Sequence, residues 1–115
     1  MNYSNKQPLF RVGRLEVAAE ARRILTPDDL SPYLTRHERG DWGEYSEDYA
    51  AENSRNLMLM GITSYVTSKF LHGSNATPIF VMTTLAGRRT AICTEKDLWS
   101  EYMTARLPVI LDIIL

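Results

Sequence analysis

Apolar and polar positions follow two rhythms along this chain, and the rhythm changes at Gly61. Before it the spacing is helical. Val17, Ala18, Ala21, Ile24 and Leu25 fall on one face, which predicts a helix over 16–25. The looser alternation from Pro8 to Leu15 predicts a short strand before it, at a sheet edge. Thr26-Pro27-Asp28-Asp29 is a start signal, with a capping hydroxyl, a proline suited to the first helical position and two carboxylates at the positive end of the helix dipole. The second helix then runs through Leu30, Tyr33, Leu34 and His37 and stops at Gly40. Ser46 is the next N-cap, and a third helix continues through Tyr49, Ala50, Asn53, Leu57 and Met60 to Gly61.

After Gly61 the chain reads as strands. Ile62 to Leu71, Pro78 to Leu85 and Arg89 to Thr94 are rich in Thr, Val, Ile and aromatic residues. A loop over 72–76 and a short turn at Ala86-Gly87-Arg88 separate them. Thr94-Glu95-Lys96-Asp97 has the form of a capping box and opens a fourth helix carrying Leu98, Trp99, Tyr102, Met103 and Ala105, ended by Pro108. The order predicts an α+β domain: a three- or four-stranded antiparallel sheet with helices packed on one face. Residues 1–115 form a single domain in this reading, with 1–7 disordered. The apolar tail 107–115 (Leu107, Val109, Ile110, Leu111, Ile113, Ile114, Leu115) is an extra element or the contact of a homodimer.

Composition narrows the function classes. At 115 residues with 44% hydrophobic and 23% charged positions, the chain fits one globular domain. A net charge of -1 excludes recruitment of nucleic acid by bulk charge, so no direct nucleic-acid contact is expected. A single cysteine, Cys93, forms no internal disulfide and is too little thiolate for structural zinc. The start of the chain lacks a secretory pattern and no 18-residue apolar stretch occurs, so a cytoplasmic protein without membrane contact is expected.

The small total conceals segregation. Between Asp28 and Glu52 lie eight acidic residues against Arg36 and Arg39, whereas 53–93 holds four basic residues and no acidic one. Two readings follow: the regions neutralise each other inside one fold, or the acidic face docks on a basic partner.

The densest unusual cluster is Arg36-His37-Glu38-Arg39-Gly40-Asp41-Trp42-Gly43. Arg36, His37, Gly40, Trp42 and Gly43 are expected to form a structural corner, with the glycines shaping the turn, Asp41 bonding local amides and Trp42 as its buried anchor. Together with Pro8-Leu9-Phe10, Glu52-Asn53 and the hairpin residues 79–83 and 89–92, this cluster resembles a family of uncharacterised small plasmid- and prophage-associated bacterial proteins. Those proteins carry an Arg-His-x-x-Gly-Asp-Trp-Gly core and are often labelled plasmid-related or type I restriction subunits. The resemblance spans roughly Pro8 to Asp97 and implies a mobile-element setting, without an activity to carry over.

Bond-making chemistry finds few candidates. His37 and His72 are 35 residues apart and match no compact metal motif. The acidic stretch lacks calcium-loop spacing, and the glycines are too sparse for a nucleotide cradle. The expectation is a non-catalytic protein-binding protein, with no catalytic residues, metal or cofactor. An anti-defence inhibitor (anti-CRISPR or anti-restriction) would use an acidic surface of Asp41, Glu44, Glu47, Asp48 and Glu52 to occupy a basic channel of a host nuclease complex. The alternatives are a small metal-dependent or hydrolytic enzyme around His37, Asp41 and His72, and a DNA-associated regulator using Arg88 and Arg89.

Overall fold

The runs richest in β-branched residues pair with one another and fix the frame on which everything else is hung. A computed structural model describes residues 7–59 and 64–104. The elements are β1 (Arg14–Val17), α1 (Ala19–Ile24), α2 (Pro27–Glu38), α3 (Glu47–Leu59), β2 (Tyr65–His72), β3 (Thr77–Thr84), β4 (Arg89–Thr94) and α4 (Glu95–Thr104). This is an α+β fold with a four-stranded sheet in the order β1-β4-β3-β2. β2 pairs antiparallel with β3 from Tyr65↔Thr84 to His72↔Thr77, and β3 antiparallel with β4.

β1 lies parallel to β4, from Arg14↔Arg89 to Val17↔Ile92, so the sheet is mixed and not purely antiparallel. Three helices and a hairpin separate the two strands, which leaves room for the crossover that a parallel pair requires. β1 begins at Arg14, later than the alternation from Pro8 suggests. Gly13 is the reason: it sits at φ +67°, and a Cβ there would lie 1.9 Å from the Arg88 carbonyl oxygen. Only after this close approach does the chain enter the sheet, and α1 accordingly starts at Ala19.

Side chains alternate across the sheet. On one face Phe70, Ile79, Val81 and Ile92 pack under Ala21 and Leu25 from the α1 region and Leu30, Tyr33 and Leu34 of α2. Phe10, Trp42, Val66 and Leu85, flanked by Tyr45, Ala50 and Leu57, extend this core toward α3. On the other face Met82, Ala91 and Cys93 pack with Ala18, Phe80 and Leu98 of α4. Helices therefore touch both faces, where one was expected. The small side chains of Ala91 and Cys93 let α4, which begins directly where β4 ends, come close on that side.

One buried carboxylate joins the two ends of the chain. Asp97 accepts hydrogen bonds from the Thr94 amide (2.9 Å) and hydroxyl (3.1 Å), completing the box that opens α4. It also accepts the amides of Glu20 (2.8 Å) and Ala21 (2.9 Å). Those are the orphan donors of the first turn of α1, whose own N-cap, Ala18, has no acceptor side chain.

The expectations for residues 1–7 fall outside the described residues except at Gln7, which is exposed; the tail 107–115 and its dimer contact fall outside entirely. No helix among the described residues is long and apolar enough to cross a membrane.

Replacing Asp97 by Asn turns one acceptor into a donor facing amide donors. We expect a loss of about 2–4 kcal/mol, read as a lower urea midpoint at unchanged m.

Candidate functional site

The Gly-Asp-Trp-Gly corner works on the backbone of β2. After α2 ends, Asp41 accepts both forks of Arg36 (2.7 and 3.3 Å) and the Gly43 amide (3.1 Å), which closes the turn. The following residues lie against the outer edge of β2: the Trp42 carbonyl accepts the Lys69 amide (3.0 Å), and the Glu44 amide donates to the Lys69 carbonyl (2.7 Å). Gly43 bridges Lys69 at φ +73°, and a Cβ there would lie 2.1 Å from the Lys69 oxygen. Further along the same edge Asn53 of α3 accepts the Thr67 amide (3.2 Å) and donates to the Thr67 carbonyl (2.8 Å), while Asn56 donates to the Tyr65 carbonyl (2.8 Å). The corner and two α3 amides thus occupy positions where a fifth strand would otherwise pair.

Behind the corner sits His37, fully buried and boxed by Phe10 (5.1 Å, edge-on) and Trp42 (5.8 Å, edge-on). Its hydrogen bonds have one consistent direction. The Val12 carbonyl can only accept, so Thr90 donates to it (2.8 Å); each hydroxyl has one proton, so Thr83 donates to Thr90 (2.6 Å). Thr83 must then accept from His37 Nε2–H (2.9 Å), which leaves Nδ1 to accept the Ser68 hydroxyl. The imidazole is neutral in this chain. Burial lowers its pKa from 6.5 to about 3. The Ser68–His37 pair has the chemistry of a nucleophile and base, yet both residues are fully enclosed in the core.

His72 belongs elsewhere. It bonds Tyr33 Oη through Nδ1 (2.8 Å) and approaches Asp29 (3.9 Å), whose carboxyl is held below its ordinary range chiefly by the Thr26 amide. His37, Asp41 and His72 therefore have three separate partner sets, and the geometry does not assemble the enzyme alternative. Among the described residues no three His, Cys, Asp or Glu side chains converge to hold a metal.

The acidic residues divide. Asp41 is consumed by Arg36 and the corner, whereas Glu44, Glu47, Asp48 and Glu52 are exposed. At about 100° per residue, Glu47, Asp48 and Glu52 fall within an arc of about 140° on α3, opposite the inward Ala50, Asn53 and Leu57. Arg55, paired with Glu52 at 2.8 Å, and the exposed Met58 (85%) and Leu59 (67%) share that outer arc. Sequence reasoning missed the two apolar residues and the edge-closing role of Asn53 and Asn56; the apolar spacing of α3 could have placed Met58 and Leu59 outside.

No family model matches the chain, and no curated protein or solved structure is significantly similar to it.

Gly43→Ala should cost about 3 kcal/mol or more in denaturant titration, because a left-handed position and the Lys69 carbonyl both exclude the methyl. For His37 the sign follows from linkage: the unfolded chain binds the proton between pH 6.5 and 3 and the folded chain does not, so stability is complete above 6.5 and falls with pH below it. Its contribution should drop by about 2–3 kcal/mol between pH 6.5 and 4.5. Imidazole ¹⁵N spectra should show protonated Nε2, bare Nδ1 and no titration above pH 4.5.

Proposed function

We propose that this chain acts by binding a protein, not by making bonds, and that the outer face of α3 is the contact. The observation that carries this reading is the composition of that face: Glu47, Asp48 and Glu52 beside exposed Met58 and Leu59, with Glu44 exposed on the strap leading to it. Charge next to large exposed apolar side chains is the anatomy of a protein interface, with an apolar patch to exclude water and charges to steer and orient. A bare solvated helix would have little reason to expose Met58 so fully.

The partner we infer is basic, and a surface that binds nucleic acid has the charge this face complements. The resemblance to plasmid- and prophage-associated proteins supports a host nuclease complex as its bearer, with this chain an anti-defence inhibitor that competes with DNA. Asp41 is left out of the contact because Arg36 and the Gly43 amide already hold it. The rigid backing of α3, two asparagines clamped on β2, keeps the face preorganised and lowers the cost of docking.

The test is displacement of labelled duplex DNA from a purified type I restriction or CRISPR effector complex. The wild type should displace it, and the triple reversal Glu47→Lys, Asp48→Lys, Glu52→Lys should weaken displacement at least about tenfold at unchanged melting temperature. Met58→Ser should weaken it without altering its salt dependence. Equal displacement by the triple reversal overturns the proposal.

A further inference from the structure

We propose that the β1 edge of the sheet, at Arg11, Arg14 and Arg88, binds the phosphodiester backbone of nucleic acid. The three residues come together only in the fold. Arg14 stands directly beside Arg89 in the parallel ladder, and its amide donates to the Arg88 carbonyl (2.8 Å). Gly13 is pressed against Arg88, and the Val12 carbonyl is held by Thr90. Arg11 is exposed between buried Phe10 and Val12, three residues from Arg14 and so within about 11 Å of it along the chain. The backbone under this patch is therefore tied at several points.

Two observations mark the patch as a site for an anion. Among the described residues no carboxylate lies within 4 Å of Arg11, Arg14 or Arg88, although Arg23, Arg36 and Arg55 each have one. Arg88 also occupies the left-handed region at φ +50°, where asparagine or glycine would sit with less strain. At position 88 the fold retains arginine where stability alone favours another residue.

The charge of the patch is what selects a polyanion. Gly13 before β1 and Ala86 and Gly87 in the turn before Arg88 are small and exposed, so a phosphate backbone can approach closely, with Leu15 of β1, 37% exposed, as the large apolar neighbour. Arginine forks fit phosphate oxygens in pairs. The site is also remote from the acidic one. α3 and the corner close the β2 edge, and β1 is the opposite edge of the four-stranded sheet, about 14 Å away at the usual strand spacing.

The measurement is fluorescence anisotropy of a labelled 20-base-pair duplex and a labelled 20-nucleotide single strand, titrated with the full chain from 50 to 200 mM salt. Three phosphate contacts predict a log–log salt slope of about -2.7, hence an affinity loss of roughly 40-fold over that range. Arg88→Asn relieves backbone strain, so it should keep or raise the melting temperature while weakening binding several-fold and flattening the slope by about one. Arg11→Ala, Arg14→Ala and Arg88→Asn together should abolish the salt-dependent binding, and the acidic-face triple reversal should retain it, which separates this proposal from the preceding one. Binding of either nucleic acid that the arginine variants remove supports the site, and the two probes distinguish duplex from single strand. No salt-dependent binding at 50 mM, or equal binding by the triple arginine variant, overturns it. Sedimentation showing self-association that the arginine variants abolish, without nucleic-acid binding, also overturns it in favour of a second copy's acidic face.

Discussion

The surfaces of this protein depend on how the outer edge of β2 is closed. A free edge exposes a row of amides and carbonyls that invites another strand. Here the row is taken by backbone from Trp42 to Glu44 and by the side-chain amides of Asn53 and Asn56. These contacts also position α3, because a helix held by two asparagines on consecutive turns cannot slide or rotate without losing bonds to β2. The acidic outer arc points outward because the polar inner arc is bonded inward. Edge protection and presentation of the proposed binding face are one device.

Much of the frame was legible in local signals. The second, third and fourth helices, the strands β2, β3 and β4, the cap at Thr26 and the capping box at Thr94 follow from spacing and cap chemistry, and each lies within a few residues of its expected place. What escaped were effects of residues far apart in the chain. Asp97 reads as the partner of Thr94, three residues away; its bonds to Glu20 and Ala21 span more than 75 residues, and no local pattern announces them. The parallel placement of β1 escaped for the same reason. Its four residues carry no mark of direction, and the choice is made by Gly13 packing on Arg88 and by the helices that fill the crossover. Asp41 carries two expectations, a bond to local amides and a place in the acidic surface; the Gly43 amide and Arg36, five residues back, hold it to the first.

Charge shows how a total can mislead. The value of -1 conceals two local excesses, acids on the outer arc of α3 and bases at Arg11, Arg14 and Arg88 beside β1, although Glu16 lies on β1 and Lys69 on β2. The sequence separates acids and bases into blocks, but blocks are not faces. Arg11 and Arg14 come from the N-terminal segment and Arg88 from a hairpin turn, and only the β1–β4 pairing makes them neighbours. Both proposals, a basic protein at the α3 face and a nucleic acid at the β1 edge, rest on these local excesses.

The buried chain from Ser68 through His37, Thr83 and Thr90 to Val12 explains why a histidine stands where an aliphatic residue would seem cheaper. Ser68, Thr83 and Thr90 lie on the core face of three neighbouring strands, and each hydroxyl needs a partner once water is excluded. A neutral imidazole is one of few side chains that can accept at one end and donate at the other across that span. Leucine would leave the Ser68 proton and the Thr83 lone pairs unmatched, at a cost of about 1–3 kcal/mol for each. Because the chain has a single direction, it is complete only when β2, β3, β4 and the N-terminal segment are in register together. His37 thus joins α2 to the sheet and the sheet to residue 12, and so holds in place both the corner that closes β2 and the segment that delivers Arg11 and Arg14 to the other edge.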